Sequence, residues 1–130
     1  MEISRIMELK LQGYCCSQII MQLGLEGMGR ENEDLIAAMA GLCDGMHRGG
    51  TCGTISAAVC LLYLIDREQA GFLCDELFDW FEDSFGSTEC DELIESNPLK
   101  KAAVCGGLVE NTYLKLTEMF EDHNIPFQKA

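Results

Sequence analysis

Eight cysteines in 130 residues make thiol chemistry the first possibility to examine, and their neighbours begin to sort them. In HRGGTCGTISAAVC, residues 47–60, two glycines precede Cys52 and Gly53 follows it. Cys16 follows a Gly13-Tyr14 break, and Cys90 follows Gly86-Ser87-Thr88. All three are expected in or beside the first turn of a helix. There, unpaired backbone N–H groups and the positive end of the helix dipole favour a thiolate and lower its pKa. Cys105, beside Gly106-Gly107, is the fourth candidate. Such a set admits three kinds of use. Four thiolates can hold an iron–sulfur cluster, whose negative charge N–H···S bonds offset. Cys52 can instead act as a low-pKa attacker that Cys16, Cys90 or Cys105 resolves. A buried free cysteine can also be no more than a small hydrophobe.

That last use is the expectation for Cys43, Cys60 and Cys74, which fall on or near apolar helical stripes. A Cys15-Cys16 disulfide would close a strained ring, so Cys15 is expected as a spare thiol or alternate ligand. His47, next to the glycine loop, can tune or replace a ligand, or simply face solvent; His123 is expected to be exposed. C-x-x-C is absent, which removes the thioredoxin-like motif and the usual zinc-finger spacing. C-x-x-C-H is absent too, so no covalent haem is expected. Neither a serine-hydrolase elbow, a zincin helix nor a Walker phosphate loop occurs.

The elements that must position these thiols read as helices. Ile3, Ile6, Met7 and Leu11 recur at helical spacing, and Cys16, Ile19, Ile20 and Leu23 do so after the break. ENEDLIAAMAGLCDGM has acids in its first turn and apolar residues through Cys43 and Met46. Residues 52–65 are almost wholly apolar, which predicts a central buried helix. In REQAGFLCDELFDWFEDSF, Phe72, Leu73, Leu77, Trp80 and Phe81 lie opposite Asp75, Asp79, Glu82 and Asp83, a solvated face rather than a carboxylate site. A short helix capped by Ser87 or Thr88 runs to Ile94, and a last one starts at Asn97-Pro98 and reaches about Phe120. Gly106-Gly107 inside it suggests a local break or a close approach by another backbone, with Gly53 and Ala57 as the natural counterpart. No alternating β run, repeat or linker is present, so the prediction is all-α: one domain, 1–130, folded as a compact bundle of five to six helices.

Apolar residues make up 48% of the chain, enough for a core without staples. The net charge of −13 argues against nucleic acid or an anionic membrane surface as a partner and suits either a plain charged, soluble surface or a basic protein partner. The N-terminal residues carry charges throughout, unlike a signal peptide. The longest apolar run, about 11 residues in ISAAVCLLYLI, is too short to cross a bilayer. A cytosolic location is therefore expected, and there cysteines indicate metal or redox chemistry more often than structural disulfides.

Several stretches carry a family resemblance: YCCSQIIMQLGLEGMGRENEDLIAAMAGLCDGMHRGGTCGTISAAVCLL, FEDSFGSTECDELI and AAVCGGLVENTYLKL. They resemble the redox-active family named for its C-GCAxxG-C-C cysteine pattern, and more narrowly its branch first catalogued in sulfate-reducing bacteria. The family's cysteines correspond to Cys16 in CSQ, Cys52 in GGTCGTISA, Cys90 in FGSTEC, and Cys105. Thr54 and Ala57 stand where the family usually has a small residue and a glycine. The resemblance implies a small redox protein. In the leading reading, Cys16, Cys52, Cys90 and Cys105 ligate a two-iron or four-iron iron–sulfur cluster, which air can remove, and exchange electrons with a protein redox partner in a larger anaerobic oxidoreductase system. The rival readings are a thiol–disulfide protein using Cys52, and a non-catalytic helical adaptor holding a structural zinc. A homodimer is compatible with each.

Overall fold

A computed structural model describes residues 2–129, in which seven α-helices and short helical turns account for the regular structure. In chain order the helices are α1 (Glu2–Leu11), α2 (Cys16–Gly27), α3 (Glu33–Met39), α4 (Gly53–Ile65), α5 (Ala70–Phe85), α6 (Cys90–Leu93) and α7 (Lys101–Asp122). The all-α expectation holds, with seven α-helices against the five to six predicted.

α4 is the axis of the molecule, as its apolar sequence requires. It packs against α2, α5 and α7, and Ile55, Ala57, Ala58, Leu61 and Leu62 are buried. Gly24 of α2 lies directly on the Leu61 side chain, so α2 and α4 meet where one of them lacks a Cβ. From α5 come Leu73, Leu77 and Phe81, and from α7 Leu108, Val109, Leu116, Met119 and Phe120. Phe72, predicted on the core side of α5, is half exposed and rests edge-on against His123, which is therefore partly covered rather than free in solvent.

The expected helix over 31–46 stops early. Asn32 caps α3 by accepting from the Leu35 N–H at 3.0 Å, but the α-helix ends at Met39 and Cys43 turns extended (φ −66°, ψ 147°). Beyond it, Asp44, Gly45, Met46 and His47 have φ of 58°, 61°, 60° and 61°, four successive left-handed residues of which three bear a Cβ. Each such residue costs about 1–2 kcal/mol, so neighbouring contacts must impose this turn. Two of those contacts are visible: the Gly50 N–H reaches the Gly45 carbonyl at 3.1 Å, and a pair of bonds ties the loop to α6. The Cys52 N–H donates to the Thr88 carbonyl (2.7 Å) and the Cys90 N–H to the Gly50 carbonyl (2.6 Å), forming an isolated antiparallel bridge centred on Thr51 and Glu89.

Candidate functional site

The bridge decides where two of the cysteines point. Its hydrogen bonds flank the Thr51–Glu89 pair, so those two side chains share the outer face, where Thr51 Oγ1 donates to Glu89 Oε2 at 3.3 Å. Side chains alternate along an extended backbone, which turns Cys52 and Cys90 to the inner face as diagonal neighbours. Both are buried. On that inner side Cys52 meets Cys16: the Cys16 sulfur lies 3.2 Å from where a Cβ on Gly53 would stand, with the Leu42 carbonyl and the Cys43 backbone closing round the same glycine. Gly53 thus permits a close approach, but to α2 and the end of α3. The predicted pairing with Gly106-Gly107 does not occur: among the described residues Gly106 is approached only by Lys10 Nζ, at 3.1 Å, and nothing lies against Gly107.

Cys16 opens onto a cleft of about 480 Å³ whose lining includes Lys10, Cys15, Cys43, Asp44 and Cys105. Two of these cysteines form a bond that sequence reasoning did not anticipate: Cys15 and Cys43 are joined as a disulfide, their Cα atoms 6.3 Å apart. Cys15 is therefore no spare thiol, and Cys43 is no core filler. Its helix ends before it, and the extended backbone directs its sulfur at the N-terminus of α2. The sequence signal for the early helix end is Asp44-Gly45, a turn dipeptide immediately after Cys43.

Around that bond the contacts are polar and buried. The N-terminus of α2 is fixed by Gln18, whose Oε1 accepts from the Cys15 N–H at 3.1 Å while its Nε2 donates to the Ile36 carbonyl at 3.1 Å. Ser17, fully buried, has its hydroxyl 2.9 Å from Cys43 Sγ, 3.4 Å from Cys15 Sγ and 2.7 Å from the Met39 carbonyl, to which it donates.

A low pKa was expected at Cys16 from the start of α2, but the thiol is pushed up instead. Burial is the largest cause and the neighbouring Cys52 the next, opposed by the Thr54 hydroxyl and the Ser17 backbone. Desolvation outweighs the helix terminus here. Thr54 is buried beside this sulfur, and its hydroxyl reaches no acceptor or donor at full hydrogen-bond geometry.

The remaining candidates stand apart. His47 is solvent-facing, with Nε2 3.1 Å from the Ala40 carbonyl and Nδ1 4.0 Å from the Asp44 carboxylate. Cys60, predicted as buried, is exposed, on a side of α4 where Tyr63 is exposed too. Cys74 is half-buried, and its thiol is pushed up by burial, then by Asp75 and Cys60. Among the described residues no three His, Cys, Asp or Glu side chains come together as a metal-holding group. Of the four predicted ligands, Cys16 lies beside Cys52, Cys52 and Cys90 are diagonal neighbours across the bridge, and Cys105 lines the cleft with Cys16.

The family model described as "Putative redox-active protein (C_GCAxxG_C_C)" matches residues 14–119, a span that holds all eight cysteines. The chain belongs to that family. The C_GCAxxG_C_C match takes in α2 through most of α7, and hence the disulfide, the bridge and the cleft lining apart from Lys10 and Gly13. No curated protein and no solved structure matches the chain significantly. No helix among the described residues is long and apolar enough to cross a membrane.

Proposed function

We propose that this member of the redox-active family is a thiol–disulfide exchange protein whose working bond is Cys15–Cys43. One observation carries the reading: the disulfide lines a cleft together with Cys16 and Cys105, with Cys15 as its more accessible sulfur and Cys43 nearly buried. Access directs a partner thiolate to Cys15. The new bond forms to the Cys15 sulfur, the Cys15–Cys43 bond breaks, and the electron pair leaves on Cys43. A second partner thiol then displaces Cys15, so the partner dithiol loses two electrons and becomes a disulfide, while Cys15 and Cys43 gain two electrons and two protons. Cys52, buried behind Cys16, is not the first sulfur to be reached. The charge of −13 suits a dithiol partner with a basic face, whose association slows as salt rises.

Equilibration in dithiol–disulfide buffers, with differential alkylation and mass mapping, tests this. Cys15 and Cys43 are expected to become alkylable together on reduction and to re-pair on oxidation. A bond that resists excess dithiol, or fails to re-form, rejects the reading.

The inward-facing Cys52–Cys90 pair, with Cys16 alongside, favours a second reading in which Cys16, Cys52, Cys90 and Cys105 hold a two-iron or four-iron cluster and Cys15–Cys43 stays outside it. Such a cluster would supply one-electron transfer. Among the described residues no three of these side chains meet as a metal-holding group, so on this reading the four draw together when a cluster binds. Anaerobic purification with iron, sulfide and zinc analysis separates the two readings. Stoichiometric iron and sulfide lost in Cys52→Ser support the cluster, zinc supports a structural metal, and their absence supports exchange.

A further inference from the structure

We propose that Ser17 is a catalytic hydroxyl, the donor that receives the Cys43 thiolate when the Cys15–Cys43 bond opens. The inference rests on the reading of that bond as the exchanging one. Ser17 touches both reacting sulfurs, at 3.4 Å for Cys15 and 2.9 Å for Cys43, and no water competes for it because the residue is fully buried. A hydroxyl has one proton, and in the disulfide form it lies on the Met39 carbonyl at 2.7 Å. The disulfide sulfur has no proton to give and is a weak acceptor. The short Ser17–Cys43 contact is therefore an unused hydrogen bond while the bond is intact.

Opening the bond changes that. Attack at Cys15 puts the electron pair on Cys43, and a charge created at a nearly buried sulfur is costly without a donor. Rotation about the Ser17 Cβ–Oγ bond moves the proton from the Met39 carbonyl to the Cys43 thiolate without displacing a heavy atom. The donor is thus placed where charge develops and does little before it does. Ser17 also sits in the first turn of α2, so its position is held by the helix rather than by a loop.

The test is the rate of reduction of the intact protein by dithiothreitol, followed by quenched alkylation at Cys43. Ser17→Ala is expected to slow it about tenfold or more, the range lost with a hydrogen bond to a charged group. Ser17→Thr, which keeps the hydroxyl, is expected to retain most of the rate. Thr54→Val removes a different buried hydroxyl, one that bonds neither sulfur of the disulfide, and is expected to stay within about twofold of wild type. A merely structural Ser17 would lower the thermal midpoint of Ser17→Ala and leave its reduction rate unchanged. Wild-type speed in folded Ser17→Ala therefore overturns the proposal, as does a Ser17→Thr variant as slow as Ser17→Ala. If the wild-type bond itself does not open under excess dithiothreitol, the parent reading fails instead.

Discussion

At the C-terminal end of α4, Asp66 closes the turn into α5. Its Oδ1 accepts from the Glu68 and Gln69 backbone N–H groups at 3.2 Å each, and its Oδ2 from Gln69 Nε2 at 2.7 Å. These bonds, that to the Gln69 side chain first, hold its carboxyl below the usual range. At the N-terminal end of the same helix the arrangement is reversed. The Cys16 thiol is raised by burial, Thr54 lacks a full hydrogen bond, and the loop leading in runs through four left-handed residues to a single two-bond bridge. One end satisfies its polar groups locally; the other leaves groups strained or unpaired and relies on distant contacts to hold them. Deviations of this second kind gather where a fold does chemistry, and every sulfur of the cleft lies at or beside that end.

Removing the disulfide should separate the two ends most sharply. Its sulfurs are 28 residues apart in sequence, for which loop-closure arguments give about 3–4 kcal/mol. Cys43→Ala is expected to lose that much in denaturant unfolding, and wild type to fall to the same level on reduction. A reductant-insensitive wild-type midpoint would show that the bond constrains nothing. The next effect concerns crowding. Gly53→Leu forces a side chain against the Leu42 carbonyl and Cys16, at a cost of about 1–3 kcal/mol, and should change the alkylation rate of Cys16. Gly71→Ala, near the start of α5 with open space around it, should instead gain about 0.4–1 kcal/mol.

A smaller effect belongs to the Arg5–Glu26 pair, which joins α1 to α2 on the flank (Nη2 to Oε2, 2.5 Å). Hydrogen bonding to Arg5 holds the Glu26 carboxyl below its usual range. A carboxyl with a depressed folded pKa adds stability above its unfolded value, near 4.3, and loses it as pH falls through the folded one. Arg5→Ala should therefore cost up to about 1 kcal/mol at neutral pH and nothing at strongly acid pH, as read from paired unfolding curves. The smallest effect is expected at Cys60. Because it is exposed, Cys60→Ser should stay within about 0.5 kcal/mol of wild type and leave thiol exchange untouched.

Cys60 also shows where sequence reading stops. The apolar run at 52–65 made a buried helix legible, and Leu61 and Leu62 are buried as it implied, but which side would be left uncovered depends on how α5 and α7 dock. The glycines around Cys52 correctly marked a special backbone. They did not reveal that the special conformation begins earlier, at Asp44, because three of its four left-handed residues are not glycine. The Cys15–Cys43 bond is not legible in the nearest neighbours of either cysteine, because the pairing exists only once α2 and the end of α3 are side by side. Ser17 carried no signal at all. A serine after a cysteine is ordinary until a carbonyl from 22 residues away and a sulfur from 26 residues away arrive against it.

The Thr51–Glu89 bridge has a consequence for the order of assembly. It joins residues 38 apart in sequence, and the chain between them is the α4–α5 hairpin. Two backbone bonds cannot offset the entropy of closing so long a flexible loop. Once α4 and α5 have paired, however, most of that loop is already ordered and its ends are carried towards each other, so the remaining closure is short. The bridge is then a late contact in folding, and the inward turn of Cys52 and Cys90 is late with it. A nascent chain would therefore present these two sulfurs to solvent until the hairpin is complete, and whatever must reach them has its easiest access during synthesis.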